Sequence, residues 1–230
     1  MKLRIKFTKF GPIRFIGHLD VMRFFQKAIR RSEIDVKYTS GFSPHQVMSF
    51  AQPLSVGVES NGEYMDIEVN SITNCKDIMD RINAVSVEGI KVTDVTILPD
   101  NAKNAMSSVA AALYTVIFKD GYMPSFDLSD GLSKMLEKDE LLIEKTGKAG
   151  KREVDIKPGL FDIKVTDKGY SMLLDCSSSG NVKPSQVISK LYEVNDEKEP
   201  ENIFFHVTRE ETYKNNGTEE EPLYQPMNVF

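Results

Sequence analysis

Residues 2–9, KLRIKFTK, set Leu3, Ile5 and Phe7 on one face and Lys2, Arg4, Lys6 and Thr8 on the other, the alternation of a half-buried strand. Gly11-Pro12 ends it, and a helix is expected to start near Gly17. Val21, Met22, Phe25, Ala28 and Ile29 recur at three- and four-residue spacing and lay an apolar stripe against a core, with Arg23, Lys27, Arg30 and Arg31 on the opposite side. Asp20, in the first turn, suits the positive end of the helix dipole. IDVKYT reads as a second strand through Ile34, Val36 and Tyr38, and SGFSPHQVMSFAQP as a loop with turn residues at both ends. LSVGVES and EYMDIEV read as a hairpin turned at Asn61-Gly62. A helix over 73–83, capped by Thr73 or Asn74, and the strand IKVTDVTIL complete the set.

That order, strand, helix, strand, strand, helix, strand, is the split βαβ or ferredoxin-like arrangement. The polar stretch after Pro99 reads as a connection with a short helix near 105–111, after which the order repeats. LYTVIF is a strand, 127–138 a helix with Leu128, Leu132, Met135 and Leu136 inward, and ELLIEKT a strand. KREVDIKP and the hairpin FDIKVTDKGYSMLLDCS are expected to extend the sheet, followed by a helix opened at Pro184 and the strand IFFHVTREETY. No residue identity links the halves, so the duplication rests on element order. The fold class expected is α+β, two tandem ferredoxin-like (split βαβ) domains with antiparallel sheets. Residues 1–99 form the first, carrying the GHLD and SGFSPH motifs; 100–111 are a linker, 112–213 the second domain and 214–230 a mobile acidic tail.

Charge changes this picture more than composition does. The net charge is −5, yet residues 1–50 carry ten Lys/Arg against three Asp/Glu, while the other 180 carry 19 against 31. The first fifth is a basic island on an acidic chain, and clustered cations attract phosphates whatever the total charge. A solvated helix face is the plainer account. No apolar run approaches the roughly 18 residues of a membrane span, and MKLRIKFTKF lacks the apolar core of a secretory signal, so a cytoplasmic protein with no membrane partner is expected. Cys75 and Cys176 form no CxxC pair. Neither a disulfide framework, a zinc cage nor a self-contained iron–sulfur cluster is indicated, and no metal or cofactor is expected.

His18 with Asp20 in GHLD, and His45 in FSPHQ, are the candidate acid–base residues, because an imidazole beside a carboxylate can move protons near neutral pH. The competing reading makes His18 structural, since it shares a helix face with Met22 and Phe25. Ser40, Gly41, Phe42 and Ser43 have the composition of an anion nest, and with Arg14, Arg23, Lys27, Arg30 and Arg31 they make the candidate anion or RNA site. The GxxxxGK[ST] spacing of a nucleotide loop is absent. Phe10, Phe15, Phe42 and Phe50, interleaved with Lys9, Arg14, His45 and Gln46, can stack bases beside phosphate contacts or else pack in the core. Lys148, Lys151 and Arg152 read as a basic hairpin tip or a solvated turn.

FGPIRFIGHLDVMRFFQKAIRRSEIDVKYTSGFSPHQVMSFAQPLSVGVES resembles, over its whole length, the opening of the bacterial radical-SAM-linked proteins, with the GHLD helix start, the RR helix end, SGFSPH and LSVGVES in the same order. KREVDIKP and the general layout carry the resemblance to about residue 210. Members of that family are encoded beside, or fused to, a radical SAM protein with a cobalamin-type domain, and sit near genes for RNA processing and ribosomal proteins. The resemblance implies an accessory protein whose partners are a separate radical SAM enzyme and RNA; it assigns no catalytic residue. A metal-independent RNA-processing enzyme using His18, and a purely structural interaction module, are the alternative readings. Tandem ferredoxin-like folds also occur in CRISPR RNA-processing endonucleases, an analogy of architecture.

Overall fold

The structure, a computed structural model, describes residues 1–147 and 150–230. In chain order it holds β1 (Lys2–Lys9), a 3-10 turn (Gly11–Phe15), α1 (His18–Arg31), β2 (Met48–Phe50), β3 (Glu59–Glu68), α2 (Cys75–Ala84), β4 (Ile90–Ile97) and α3 (Ala105–Ser108). There follow β5 (Ala111–Phe118), α4 (Leu128–Leu136), β6 (Leu142–Gly147), β7 (Gly150–Asp155), β8 (Leu160–Thr166), β9 (Gly169–Asp175), α5 (Pro184–Val194), β10 (Phe205–Asn215) and β11 (Tyr224–Pro226). This is a mixed α+β chain with largely antiparallel pairing. It divides into two units, Met1–Ala110 with Arg209–Phe230, and Ala111–Thr208. Among the described residues no helix is long and apolar enough to cross a membrane.

In the first unit β1 lies between β4 and β3, antiparallel to both. The far edge of β3 takes β2 along Met65–Ile67 and also borders β10, where Ser60 meets Arg209 and Gly62 meets Thr212. Leu3, Ile5 and Phe7 enter one core with Val21, Phe25 and Ile29 of α1 and Ile78 and Ile82 of α2, as the alternation of β1 predicts. Asn74 caps α2 by accepting the Asp77 amide at 2.8 Å.

Three expectations for this unit are corrected. The Asn61-Gly62 hairpin does not form: β3 runs straight through it. A Cβ on Gly62 would lie 2.6 Å from the Glu211 Cα and 3.0 Å from the Glu210 carbonyl oxygen, so this glycine serves a close backbone approach by β10 instead of a turn. IDVKYT is not a strand. Ile34 and Val36 bury their side chains, but the segment makes only single bridges, Val36 to Val69 and Tyr38 to Gln46, and the strand that joins β3 along Met65–Ile67 is β2, from the expected loop. The 214–230 segment is not a free tail: Tyr213 pairs with Pro226, and Met227 is fully buried.

The polar face of β1 is covered at Arg4, while Lys2 stays exposed. Arg4 is fully buried and grips Asp66 with two bonds, Nε to Oδ1 at 2.7 Å and Nη2 to Oδ2 at 2.9 Å. Two further donors reach the carbonyls of Met227 (2.9 Å) and Lys103 (3.1 Å), and Asp66 also accepts the Ala105 amide at 2.6 Å.

In the second unit β5 pairs with β9 and β9 with β8, all antiparallel, and residues 205–208 of β10 border β5. Phe118, Tyr170, Tyr192 and Phe204 make its aromatic core, with Phe118 stacked on Phe204 at 6.2 Å. KREVD does not extend this sheet: β7 pairs with β6 in a separate two-stranded ribbon. Its charged residues on both faces leave too little apolar surface to cover a core.

Replacing Arg4 by Met strands Asp66 as a buried charge and should cost about 3–5 kcal/mol. Arg4→Met/Asp66→Asn, which removes the charge yet keeps an acceptor for the Ala105 amide, should cost less. Urea midpoints of the two variants decide it; equal losses would show that the stranded charge is not the source of the cost.

Candidate functional site

Helix α1 presents its cations as a stripe. Val21, Phe25, Ala28 and Ile29 are buried, so rotation by 100° per residue turns Arg23, Lys27, Arg30 and Arg31 outward within a sector of about 100°, and all four are exposed. Arg23 pairs with Asp20 at 3.2 Å in solvent. Among the described residues Lys27, Arg30 and Arg31 have no carboxylate within ion-pair distance. Arg30 and Arg31 also sit at the negative end of the helix dipole.

Beyond the helix, residues 40–45 form a wholly exposed loop. Thr39 closes its base: its amide donates to the His45 carbonyl at 2.8 Å, and its hydroxyl accepts the His45 amide at 3.1 Å. Gly41 has φ +115°, which a side chain would strain. Phe42 at the tip is fully exposed, and Ser40 and Ser43 flank it in solvent. The loop is tied to the helix, since the Gln46 side chain donates to the Gln26 carbonyl at 3.2 Å. Gln46 Oε1 is the one buried side-chain oxygen or nitrogen left without a partner among the described residues.

Arg14 belongs elsewhere. It is half-buried, paired with Glu59 at 2.9 Å and placed over the Phe15 ring at 4.8 Å, so its charge is already met. Of the four phenylalanines, Phe15 and Phe42 are exposed, Phe10 is half-buried, and Phe50 is core, edge-on to Phe7.

The candidate acid–base trio shares no hydrogen bond. Asp20 pairs with Arg23 and does not orient His18, and the His45 ring meets the Thr39 hydroxyl at 3.1 Å and the Ser43 carbonyl at 3.4 Å. His18 opens α1, edge-on to Phe50 at 5.2 Å, and lines a cavity of ≈ 10 Å³ with Lys9, Gln52 and Glu63, room for about one water. Burial holds its imidazole below the ordinary value, with Glu63 pulling up and Lys9 pushing down. Glu63 accepts Ser60 Oγ at 2.7 Å and Arg209 Nη1 at 3.0 Å, and buried Lys9 donates to the Ile16 carbonyl at 2.9 Å. Glu63 and Arg209 are the residues that sequence reasoning missed around His18; 146 positions separate them, and neither stands in a motif.

At the second-unit ribbon, Lys151 pairs with Glu144 at 2.9 Å and Arg152 is exposed, while Lys148 lies outside the described residues. Among the described residues, no group of three or more His, Cys, Asp or Glu is arranged to hold a metal ion.

An unfolded imidazole titrates near ~6.5, above folded His18. Between those two values the unfolded chain binds more protons, so the stability due to neutral His18 is complete above ~6.5 and is lost as pH falls through the folded value. His18→Gln should therefore flatten the acid-side fall in stability, read as urea midpoints between about pH 7.5 and about pH 5. An unchanged slope would show that His18 titrates as if in water.

Among curated proteins none matches the chain. One family model matches residues 2–184, from the start of β1 to the first residue of α5, and so takes in α1, the 40–45 loop, His18 and Glu63. The chain belongs to that family, described as an uncharacterized protein conserved in bacteria (DUF2344).

Proposed function

We propose that the protein is a binding module, an accessory to a radical SAM enzyme, that takes RNA or another anionic substrate on the face of α1 beside the 40–45 loop. The observation that carries this reading is the trio Lys27, Arg30 and Arg31, exposed on one helix face and without ion pairs among the described residues. In a chain of net charge −5, such a stripe is the place where a polyanion gains most from approach. Phe42 supports RNA in particular, since an aromatic ring held wholly in water, on a loop tied to α1 through Gln46, is a stacking platform for an unpaired base. The radical SAM partner is supported by the resemblance of residues 10–60, and the two cysteines leave cluster chemistry to a partner.

The fold reading that goes with this is a split βαβ arrangement in each unit. In its support, the first unit orders its strands β4-β1-β3-β2 with helices after β1 and β3. The second orders β10-β5-β9-β8 with helices after β5 and β9 and the ribbon inserted. A hydrolytic reading on His18 has one observation in its favour, the Glu63 carboxylate in the same cavity. That cavity admits about one water and no nucleotide, so the binding reading is preferred.

Single-stranded RNA titrated into the full chain over a series of salt concentrations tests the proposal. Lys27→Gln/Arg30→Gln/Arg31→Gln should weaken binding and lower the slope of log K against log salt by about 0.7 for each lost phosphate contact. Phe42→Ala should weaken single-stranded RNA by about 1–3 kcal/mol and leave duplex RNA unaffected. No affinity at low salt, or a triple variant that binds like the parent, refutes the RNA reading. His18→Ala that abolishes RNA cleavage with unchanged affinity would instead establish the hydrolytic one.

A further inference from the structure

The ribbon of the second unit carries like charges opposite one another on both faces: Glu144 faces Glu153, and Lys145 faces Arg152. Opposed like charges destabilise an antiparallel pair. On the first face Lys151 relieves the repulsion by pairing with Glu144 at 2.9 Å. On the second face no ion pair does so among the described residues. Among the described residues no carboxylate lies within ion-pair distance of Lys145, Arg152 or Lys183.

Lys145 is held in place by the chain around it. Half-buried, it donates to the Gly180 carbonyl at 3.1 Å and the Asn181 carbonyl at 3.4 Å, which fixes the ribbon beside the 177–181 loop, SSSGN, with Lys183 two residues further on. A Cβ on Gly180 would lie 1.8 Å from the Asp175 carboxylate, which would have to shift to admit it. Burial first, then the charges of Arg152 and Lys183, hold the Lys145 ammonium below its ordinary value, and Asp175 opposes them least. Asp175 is itself engaged by the Ser177 amide at 2.7 Å. Lys183 precedes α5, whose first turn holds no acidic residue.

We propose that Lys145, Arg152 and Lys183, with the 177–181 loop, form an anion site in the second unit for a phosphate-bearing ligand. Three cations of which one is anchored and two are exposed match an anion with more than one negative charge; a monocarboxylate would neutralise only one. Arg152 supplies a planar fork for two phosphate oxygens, the lysines act as point charges, and exposed Ser178 and Ser179 add hydroxyl donors. The site stands on the second unit's own residues and does not require the α1 face to bind anything.

Pyrophosphate and a short single-stranded RNA, each titrated into the isotopically labelled full chain at low ionic strength, test it through backbone amide shifts. Pyrophosphate should move the amides of residues 150–154 and 177–183. Arg152→Gln/Lys183→Gln should weaken that binding at least about tenfold, the scale of a lost charge-assisted bond. Lys27→Gln/Arg30→Gln/Arg31→Gln should leave it unchanged. Both altered residues of the double variant are exposed, and its spectrum away from the site should match the parent, so a loss reads as lost contacts. Shifts at these amides with RNA and none with pyrophosphate would place a nucleic-acid backbone in the site; the reverse would place a free oligophosphate there. No shifts with both probes, or a double variant that binds as the parent does, overturns the proposal.

Discussion

The guanidinium of Arg4 is the constraint on which the first unit turns. It leaves water entirely, and an ion of that size leaves water only when its donors are matched one by one. Asp66 takes two of them, and backbone carbonyls from the connection before α3 and from the C-terminal segment take two more. One side chain thereby fixes β1 against β3 and brings two distant pieces of backbone onto the same face. The alternation of apolar residues in β1 settles which face meets the helices; Arg4 settles what covers the other.

A second polar knot follows the same logic further along β3. Glu63 joins Ser60 to Arg209, and Arg209 also donates to the Gln52 carbonyl at 3.1 Å. Lys9 lies beside them, its ammonium held below the ordinary value by burial above all, with Glu63 opposing and Arg209 adding to the effect. Against this dense interior pairing, the open cations of α1 stand out. In the interior Arg4 and Arg209 meet carboxylates, whereas the helix face leaves three cations without one among the described residues.

Much of this was legible in the sequence, and what was not has physical causes. Helix α1 was plain, because Val21, Phe25, Ala28 and Ile29 repeat at helical spacing and the cations lie opposite. Its exposed charges were therefore legible too, and the Asp20–Arg23 pair could have been read from its three-residue spacing. Asn61-Gly62 misled because a glycine demanded by a neighbouring backbone looks the same in sequence as one demanded by a turn. Ile34 and Val36 misled because alternation reports which side chains are buried and not whether the backbone is paired. Arg4 and the Glu63–Arg209 pair were hidden by distance along the chain, since local pattern carries no information about a partner two hundred positions away.

The return of the C-terminal segment also bears on how the protein is made. Arg4 finds its last acceptor in the carbonyl of Met227, 223 residues downstream. On a ribosome that delivers the chain from its amino end, the opening strand emerges long before the group that completes its wrapping. The second unit, one uninterrupted stretch from Ala111 to Thr208, is available to fold while the first still waits for its closing residues. Vectorial synthesis thus inverts the order in which the two units can be finished: the one whose first strand emerges earlier is sealed after the other.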